Sequence, residues 1–288
     1  MTPKDWLLLL TLSLLWGGSF FFVEVALQGL PPFSVVWGRV ALAAVILAVA
    51  LRGRWPARAV WPVLLVMGLL NNVVPFTLFA FAQGQITGSL AAILNATTPL
   101  FTVLVAHLAT RDERLTGLKL AGVICGFGGV VVMMAGEAMA GNNVAKLACL
   151  GAALSYGLAG VWGRRFRVMG VAPLQTAFGQ VAASTVLLLP LWLMVDQPWQ
   201  VPMPALSVIG AMVCIAALST AMGYLIFFRL MASAGPTHLS LVTFLIPVSA
   251  TLLGVAFLGE WLETRHMAGF ALILAGLSLI DGRIWRRA

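Results

Sequence analysis

The sequence predicts an all-α integral membrane protein with ten transmembrane helices arranged as two inverted five-helix repeats. Three observations predict it: an apolar composition, ten apolar runs with short links, and matched residues spaced about half a chain apart. Of 288 residues, 61% are hydrophobic and 9% are charged, against about 25% charged in a soluble domain. That leaves too little polar surface to wrap a water-soluble particle, so lipid must be the solvent for most of the chain. The formal charge of +8 raises nucleic-acid binding as another reading. The basic residues sit in brief loops beside apolar runs, not on one face or tail, and this pattern belongs to membrane topology; no nucleic-acid partner is expected.

A helix needs about 20 mostly apolar residues to cross about 30 Å of hydrocarbon. Ten windows meet this: about 5–27, 33–51, 60–82, 87–107, 117–135, 144–163, 172–194, 205–228, 237–258 and 266–282. The first, behind Lys4, could pass for a signal peptide, but no A-x-A site follows and the run continues to Leu27, which reads as a retained helix. Span 1 carries SLLWGGSF and Glu24; span 2 opens on Pro32-Phe33 and holds Arg39. Span 3 holds Asn71, Asn72 and Pro75, and span 4 holds Asn95, Thr97, Thr98 and Pro99. Spans 5 and 10 are rich in glycine; spans 6 and 7 carry Tyr156, Trp162 and Pro190; spans 8 and 9 carry Ser219, Thr220, Tyr224, Ser240, Thr243 and Pro247.

Lys and Arg set the orientation. With a cytoplasmic N-terminus, fourteen of the 17 fall in cytoplasmic segments, Lys146 and Arg265 fall outside, and Arg39 lies within a span. The expectation is a multi-pass protein of the bacterial inner membrane with both termini in the cytoplasm. Cys125, Cys149 and Cys214 lie in apolar runs without metal spacing and read as small buried side chains. His107, His238 and His266 are scattered near span ends, so no metal or cofactor is expected.

The halves, 1–140 and 141–288, match each other. Trp16 and Tyr156 align at an offset of 140, and Pro32 and Pro173 at 141. Pro99 and Pro247 align at 148; Glu113 and Glu260, Gly122 and Gly269, and Gly129 and Gly276 align at 147. Five spans per half make the second half enter from the opposite side, the symmetry that transporters use to expose one site alternately to two compartments.

WGGSF, the Pro-Phe before a span containing Arg39, and the repeated proline, glutamate and spaced glycines carry a family resemblance. The chain resembles the drug/metabolite transporter superfamily, in its EamA-type ten-helix branch, and within it the bacterial exporters of amino acids, including aromatic ones. The resemblance implies alternating access around a cavity formed by spans 1, 3, 4, 6, 8 and 9, with spans 5 and 10 as braces. The expected function is export of a small polar metabolite, a hydrophobic or aromatic amino acid before others, and not an enzymatic one. A drug or lipophilic-cation exporter, with aromatics acting through cation–π contacts, is the alternative within transport. An intramembrane lipid-modifying enzyme is the alternative outside it, and would need a clustered acid, base or metal set.

Polar side chains in lipid face protein or a cavity. The expected substrate-binding set is Trp16, Phe20, Asn71, Phe79, Asn95, Thr98, Tyr156, Trp162, Tyr224 and Thr243. Asn71 and Asn72 match Ser219 and Thr220 at the offset of 148, as Asn95 matches Thr243; interhelical hydrogen bonding accounts for them equally. Pro99 and Pro247 each free a carbonyl one turn back, on Asn95 and Thr243, and a paired break points to a site. Pro75 and Pro190 read as simple kinks. Glu24 and Arg39 are expected to pair as an outer gate. No acidic residue lies at mid-depth, which disfavours the carboxylate-driven exchange of small multidrug-resistance relatives. One arginine is too few for an organophosphate, so a zwitterionic or neutral substrate fits. The partners expected are that substrate and the bilayer, with the protein acting as a monomer.

Overall fold

The computed structural model describes residues 2–109, 116–134, 142–233 and 242–281. Glu113, Arg111, Arg114, His238, Ser240 and the C-terminal arginines, all used in the sequence reading, lie outside these residues. Among the described residues every regular element is helical. The helical segments are α1 (Pro3–Leu27), α2 (Pro32–Leu51), α3 (Arg58–Gln83), α4 (Gly88–Ala109), α5 (Gly117–Met134), α6 (Asn142–Val168), α7 (Pro173–Asp196), α8 (206–233), α9 (242–258) and α10 (Thr264–Asp281). Seven of them, α1 to α4 and α6 to α8, are long and apolar enough to cross a membrane; α5, α9 and α10 contribute shorter apolar helices. Their outward faces are bare hydrocarbon: Val49 is 75% exposed, Val131 67% and Leu252 66%. This is a multi-pass membrane protein, because such a surface is stable only against lipid.

The ends differ in charge. Gln175 Nε2 donates to the Arg54 carbonyl at 2.9 Å, Trp162 Nε1 to the Val63 carbonyl at 3.1 Å, and Ser233 Oγ to Asp5 Oδ1 at 2.8 Å. The termini of α1, α3, α6, α7 and α8 joined there carry Lys4, Arg52, Arg54, Arg58, Arg164, Arg165, Arg167 and Arg229. The opposite end holds Glu24, Asp196, Glu260 and Glu263 beside Lys146 and Arg265.

Helix contacts recur in matched form. A Cβ on Gly17 of α1 would lie 2.8 Å from the Ala250 amide of α9, and one on Gly157 of α6 would lie 3.1 Å from the Thr102 amide of α4. Gly17 and Gly157 align at 140, and Thr102 and Ala250 at 148. The seam between α5 and α10 is built of glycine. A Cβ on Gly122 would meet the Gly276 carbonyl at 2.5 Å, one on Gly276 the Gly122 carbonyl at 2.4 Å, and one on Gly129 the Gly269 carbonyl at 2.5 Å. Only hydrogen fits where backbones approach so closely.

The expected pair of proline breaks is asymmetric. α4 is interrupted at Ala96–Thr97, so Pro99 sits in the first turn of the following piece, where a missing N–H costs nothing. Pro247 lies inside a helix that runs unbroken from Val242 to Leu253. A second irregularity was not visible in the sequence: α3 widens to π-helix over Leu69–Val73, and α8 over Ile215–Met222. The two stretches occupy equivalent places at the offset of 148. Pro75, expected as a plain kink, lacks an N–H to meet the Asn71 carbonyl one turn back, inside the first of these stretches.

Candidate functional site

These two stretches, of four π-helical ones among the described residues, turn polar side chains inward. π-Bulges insert an extra residue per turn and recur at functional positions. From α3, Asn71 Nδ2 donates to Gln180 Oε1 at 2.8 Å and to the Tyr224 hydroxyl at 3.3 Å. Asn72 Nδ2 donates to Ser184 Oγ at 3.0 Å, and the Tyr224 hydroxyl donates to Asn72 Oδ1 at 3.0 Å. From α8, Thr220 Oγ1 donates to the Ile215 carbonyl five residues back at 2.9 Å, a bond that the widened turn makes available.

Arg39 bonds to the α8 stretch. Its Nε donates to Thr220 Oγ1 at 2.9 Å, and its guanidinium carbon lies 3.7 Å from the Phe76 ring centroid. No carboxylate among the described residues neutralises it, and its two Nη groups have no hydrogen-bond partner there. The expected gate pair is therefore not made. Arg39 points into the helix core, while Glu24, near the far end of α1, accepts the Gly88 amide at 2.7 Å and lies against Glu260. The spacing of the two residues along their helices did not reveal that they point in different directions.

Aromatic rings border the network. Trp16 Nε1 donates to the Ser219 carbonyl at 3.1 Å, inside the π-helical stretch of α8, and its ring packs against Phe227 with centroids 5.6 Å apart. Gly223 makes room for that indole, since a Cβ there would lie 2.6 Å from Trp16 Nε1. Phe20 meets Phe79 edge-on at 5.3 Å, and Phe79 stacks on Tyr156 at 6.2 Å. Trp16 thus reaches α8 and Tyr156 reaches α3, equivalent partners for equivalent residues.

The structure accordingly brings together Trp16, Phe20, Arg39, Asn71, Phe79, Tyr156 and Tyr224 of the expected set. Asn95 and Thr98 bond one another at 3.2 Å; the hydrogen bonds among the described residues do not tie them, or Thr243, to the Arg39 network, although all three are half-buried. Trp162 is elsewhere: it packs with Val60, Leu64 and Phe166 at the basic end, under the Arg165 guanidinium at 3.6 Å. It lies six residues beyond Tyr156, and that distance along α6 carries it out of the central region. Sequence reasoning missed Phe76, Gln180 and Ser184. Gln180 and Ser184 stand one turn apart in an apolar span, and Gln180 is the equivalent of Arg39 at the offset of 141, a signal that was legible but overlooked.

This arrangement can hold an anionic group on Arg39, a neighbouring polar or ammonium group on Asn and Tyr oxygens, and an apolar side chain against Trp16, Phe20 and Phe79. The EamA-like transporter family matches residues 5–135 and 144–281. The uncharacterized inner membrane transporter YedA of Escherichia coli is 25% identical over 277 residues, covering 94% of this chain and 89% of that protein. A protein of Escherichia coli described as a probable amino-acid metabolite efflux pump is 25% identical over 302 residues, covering 100% of this chain and 98% of its own. A solved crystal structure superposes with a TM-score of 0.69 at 21% identity, over 100% of this chain and 99% of that one, a likeness of fold. The family match spans both halves of the sequence, each on a helical array with the matched contacts described above, and so this chain belongs to the EamA-like transporter family.

Proposed function

We propose that this protein exports amino acids with hydrophobic or aromatic side chains across the bacterial inner membrane by alternating access. The observation that carries the reading is the half-buried Arg39 guanidinium, which has two free Nη groups and no carboxylate partner among the described residues. A substrate carboxylate is the counter-charge that suits its planar fork. Tyr224, Asn71 and Gln180 offer oxygens to an ammonium group, and Trp16, Phe20, Phe79 and Tyr156 offer ring faces to the side chain. Asn95, Thr98 and Thr243, half-buried on α4 and α9, complete the cavity wall in this reading. The likeness to an amino-acid metabolite efflux pump agrees with it.

In this reading ten spans form two inverted repeats, residues 1–140 and 141–288, with both termini in the cytoplasm and a monomer as the working unit. The reciprocal glycine contacts support it. The contact of Gly122 with Gly276 becomes that of Gly269 with Gly129 when the halves are exchanged, as a two-fold axis requires. The basic end then faces the cytoplasm. Exchanging the conformations of the halves moves the opening from one face to the other. A lipophilic-cation exporter is disfavoured because Arg39 repels such a substrate where the aromatics would attract it.

Counterflow of labelled leucine or phenylalanine into proteoliposomes preloaded with the same unlabelled amino acid tests the proposal. Saturable uptake that competing amino acids abolish is the expected result. Uptake of a lipophilic cation with no amino-acid counterflow would replace this reading with the drug-exporter one.

A further inference from the structure

At the end away from the basic loops, two carboxylates converge on one helix terminus. Glu24 of α1 accepts the Gly88 amide at 2.7 Å, and Glu260, in the link between α9 and α10, accepts the next amide, Ser89, at 3.1 Å. Both amides belong to the first turn of α4. Among charged side chains, Glu260 is the one whose charge acts on Glu24. Gly259, in the left-handed region at φ 64°, ends α9 and turns the chain so that Glu260 points back between the helices, 7% exposed.

Two further atoms make this more than an acidic cluster. Glu260 Oε1 and Ser89 Oγ, on residues 7% and 1% exposed, are buried without a hydrogen-bond partner among the described residues. The Glu260 carboxylate and Ser89 Oγ flank one spot: a Cβ on Gly254 would lie 2.4 Å from the Glu260 carboxyl carbon and 2.7 Å from Ser89 Oγ. A cavity of about 390 Å³, lined by Glu24, Gln83, Thr87, Lys146, Glu263 and His266, reaches the pair from the Glu24 side. The charged groups facing the pair are Lys146 from α6 and, from the α9–α10 link and α10, His266 and Glu263, the last engaged by Arg265 at 2.8 Å. A helix N-terminus offers the equivalent of roughly half a positive charge. That is less than two adjacent carboxylates require, and such a pair binds one cationic charge between its oxygens.

We propose that Glu24, Glu260 and Ser89 form an exchange site for one monovalent cation, a proton or a sodium ion, whose occupancy couples its gradient to transport. Filled, the site ties together α1, the start of α4 and the α9–α10 link. Emptied, it leaves two like charges that push the three elements apart and open this end. The coupling rests on the transport reading above; the site does not.

The test uses purified full-length protein in proteoliposomes and two readouts. Infrared difference spectra follow the carboxyl C=O band while pH, and then sodium at fixed pH, is stepped. A band that titrates with pH marks a proton, a carboxylate band that shifts with sodium marks the metal ion, and either is lost in Glu260→Gln. Transport is read as the ratio of gradient-driven uptake to counterflow of the labelled amino acid. A one-unit pH gradient, or a tenfold sodium gradient, should raise that ratio up to about tenfold. Glu24→Gln or Glu260→Gln should return it to the no-gradient value. If either variant fails to insert, Ser89→Ala supplies the second test, with a shifted titration midpoint. Spectra blind to both ions overturn the site. Responsive spectra with an unmoved ratio overturn the coupling. Responsive spectra without any counterflow overturn the amino-acid reading and leave the site standing.

Discussion

Replacing Arg39 tests the proposed substrate more directly than any other change. Among the described residues Arg39 makes one hydrogen bond, to Thr220, and one cation–π contact, with Phe76. Its Nη groups are thus available for a carboxylate. A charge-assisted hydrogen bond contributes about 1.5–3 kcal/mol, and truncating one partner of a desolvated ion pair costs about 2–5 kcal/mol. Arg39→Gln should therefore weaken amino-acid binding by about 2–4 kcal/mol, roughly 30- to 700-fold in half-saturation at about 1.4 kcal/mol per tenfold. Arg39→Lys should recover only part of this, because an ammonium keeps the charge and loses the fork. The assay is competition against counterflow by phenylalanine and by phenethylamine, its decarboxylated analogue. The wild-type protein should prefer phenylalanine by the same factor, and Arg39→Gln should erase the preference. Equal competition by the two in the wild-type protein, or an undiminished preference in Arg39→Gln, would refute the assignment, whatever the variant does to stability.

Other consequences can be measured alongside. Trp16→Ala and Tyr156→Ala should each cut transport while leaving membrane insertion intact, since each removes a ring from the apolar half of the site; unchanged rates would remove both from the path. Trp162→Ala should leave amino-acid selectivity in competition assays unaltered, because its partners lie at the basic end. Gly276→Ala and Gly129→Ala should both lower thermal stability in detergent by about 1–3 kcal/mol, the usual cost of overpacking; a neutral outcome at both would contradict the close approach of α5 and α10. Single cysteines at Glu113 and Glu260, in a background lacking Cys125, Cys149 and Cys214, should label from opposite faces of the membrane. Labelling from one face would end the inverted-repeat reading.

The apolar runs that became α1 to α4 and α6 to α8 were legible because the bilayer imposes length and hydropathy on every spanning segment. The equivalence of Trp16 and Tyr156 was read from the offset of 140; that one meets α8 and the other α3 emerged only from the structure. The direction in which a side chain points was not legible. Arg39 and Glu24 are both charged and both near the same end, yet one turns to Thr220 and the other to the start of α4. That outcome depends on helix rotation, which a nearly uniform apolar sequence leaves undefined. The π-helical stretches escaped notice for a related reason: Leu69–Val73 and Ile215–Met222 contain no residue that demands a widened turn, although Pro75 stands just past the first. The polar partners of the first stretch are tertiary, supplied by α7 through Gln180 and Ser184.

Those widened turns give the molecule a way to rearrange without tilting whole cylinders. A surplus residue held in one loop of a spiral can be handed to the adjoining loop, as a wrinkle travels along a carpet. Everything the wrinkle passes is rotated by one residue, while both anchored extremities stay where they were. Asn71 and Thr220 sit on such wrinkles in opposite halves. A cargo gripped by both could be released on one side simply by letting one wrinkle slide.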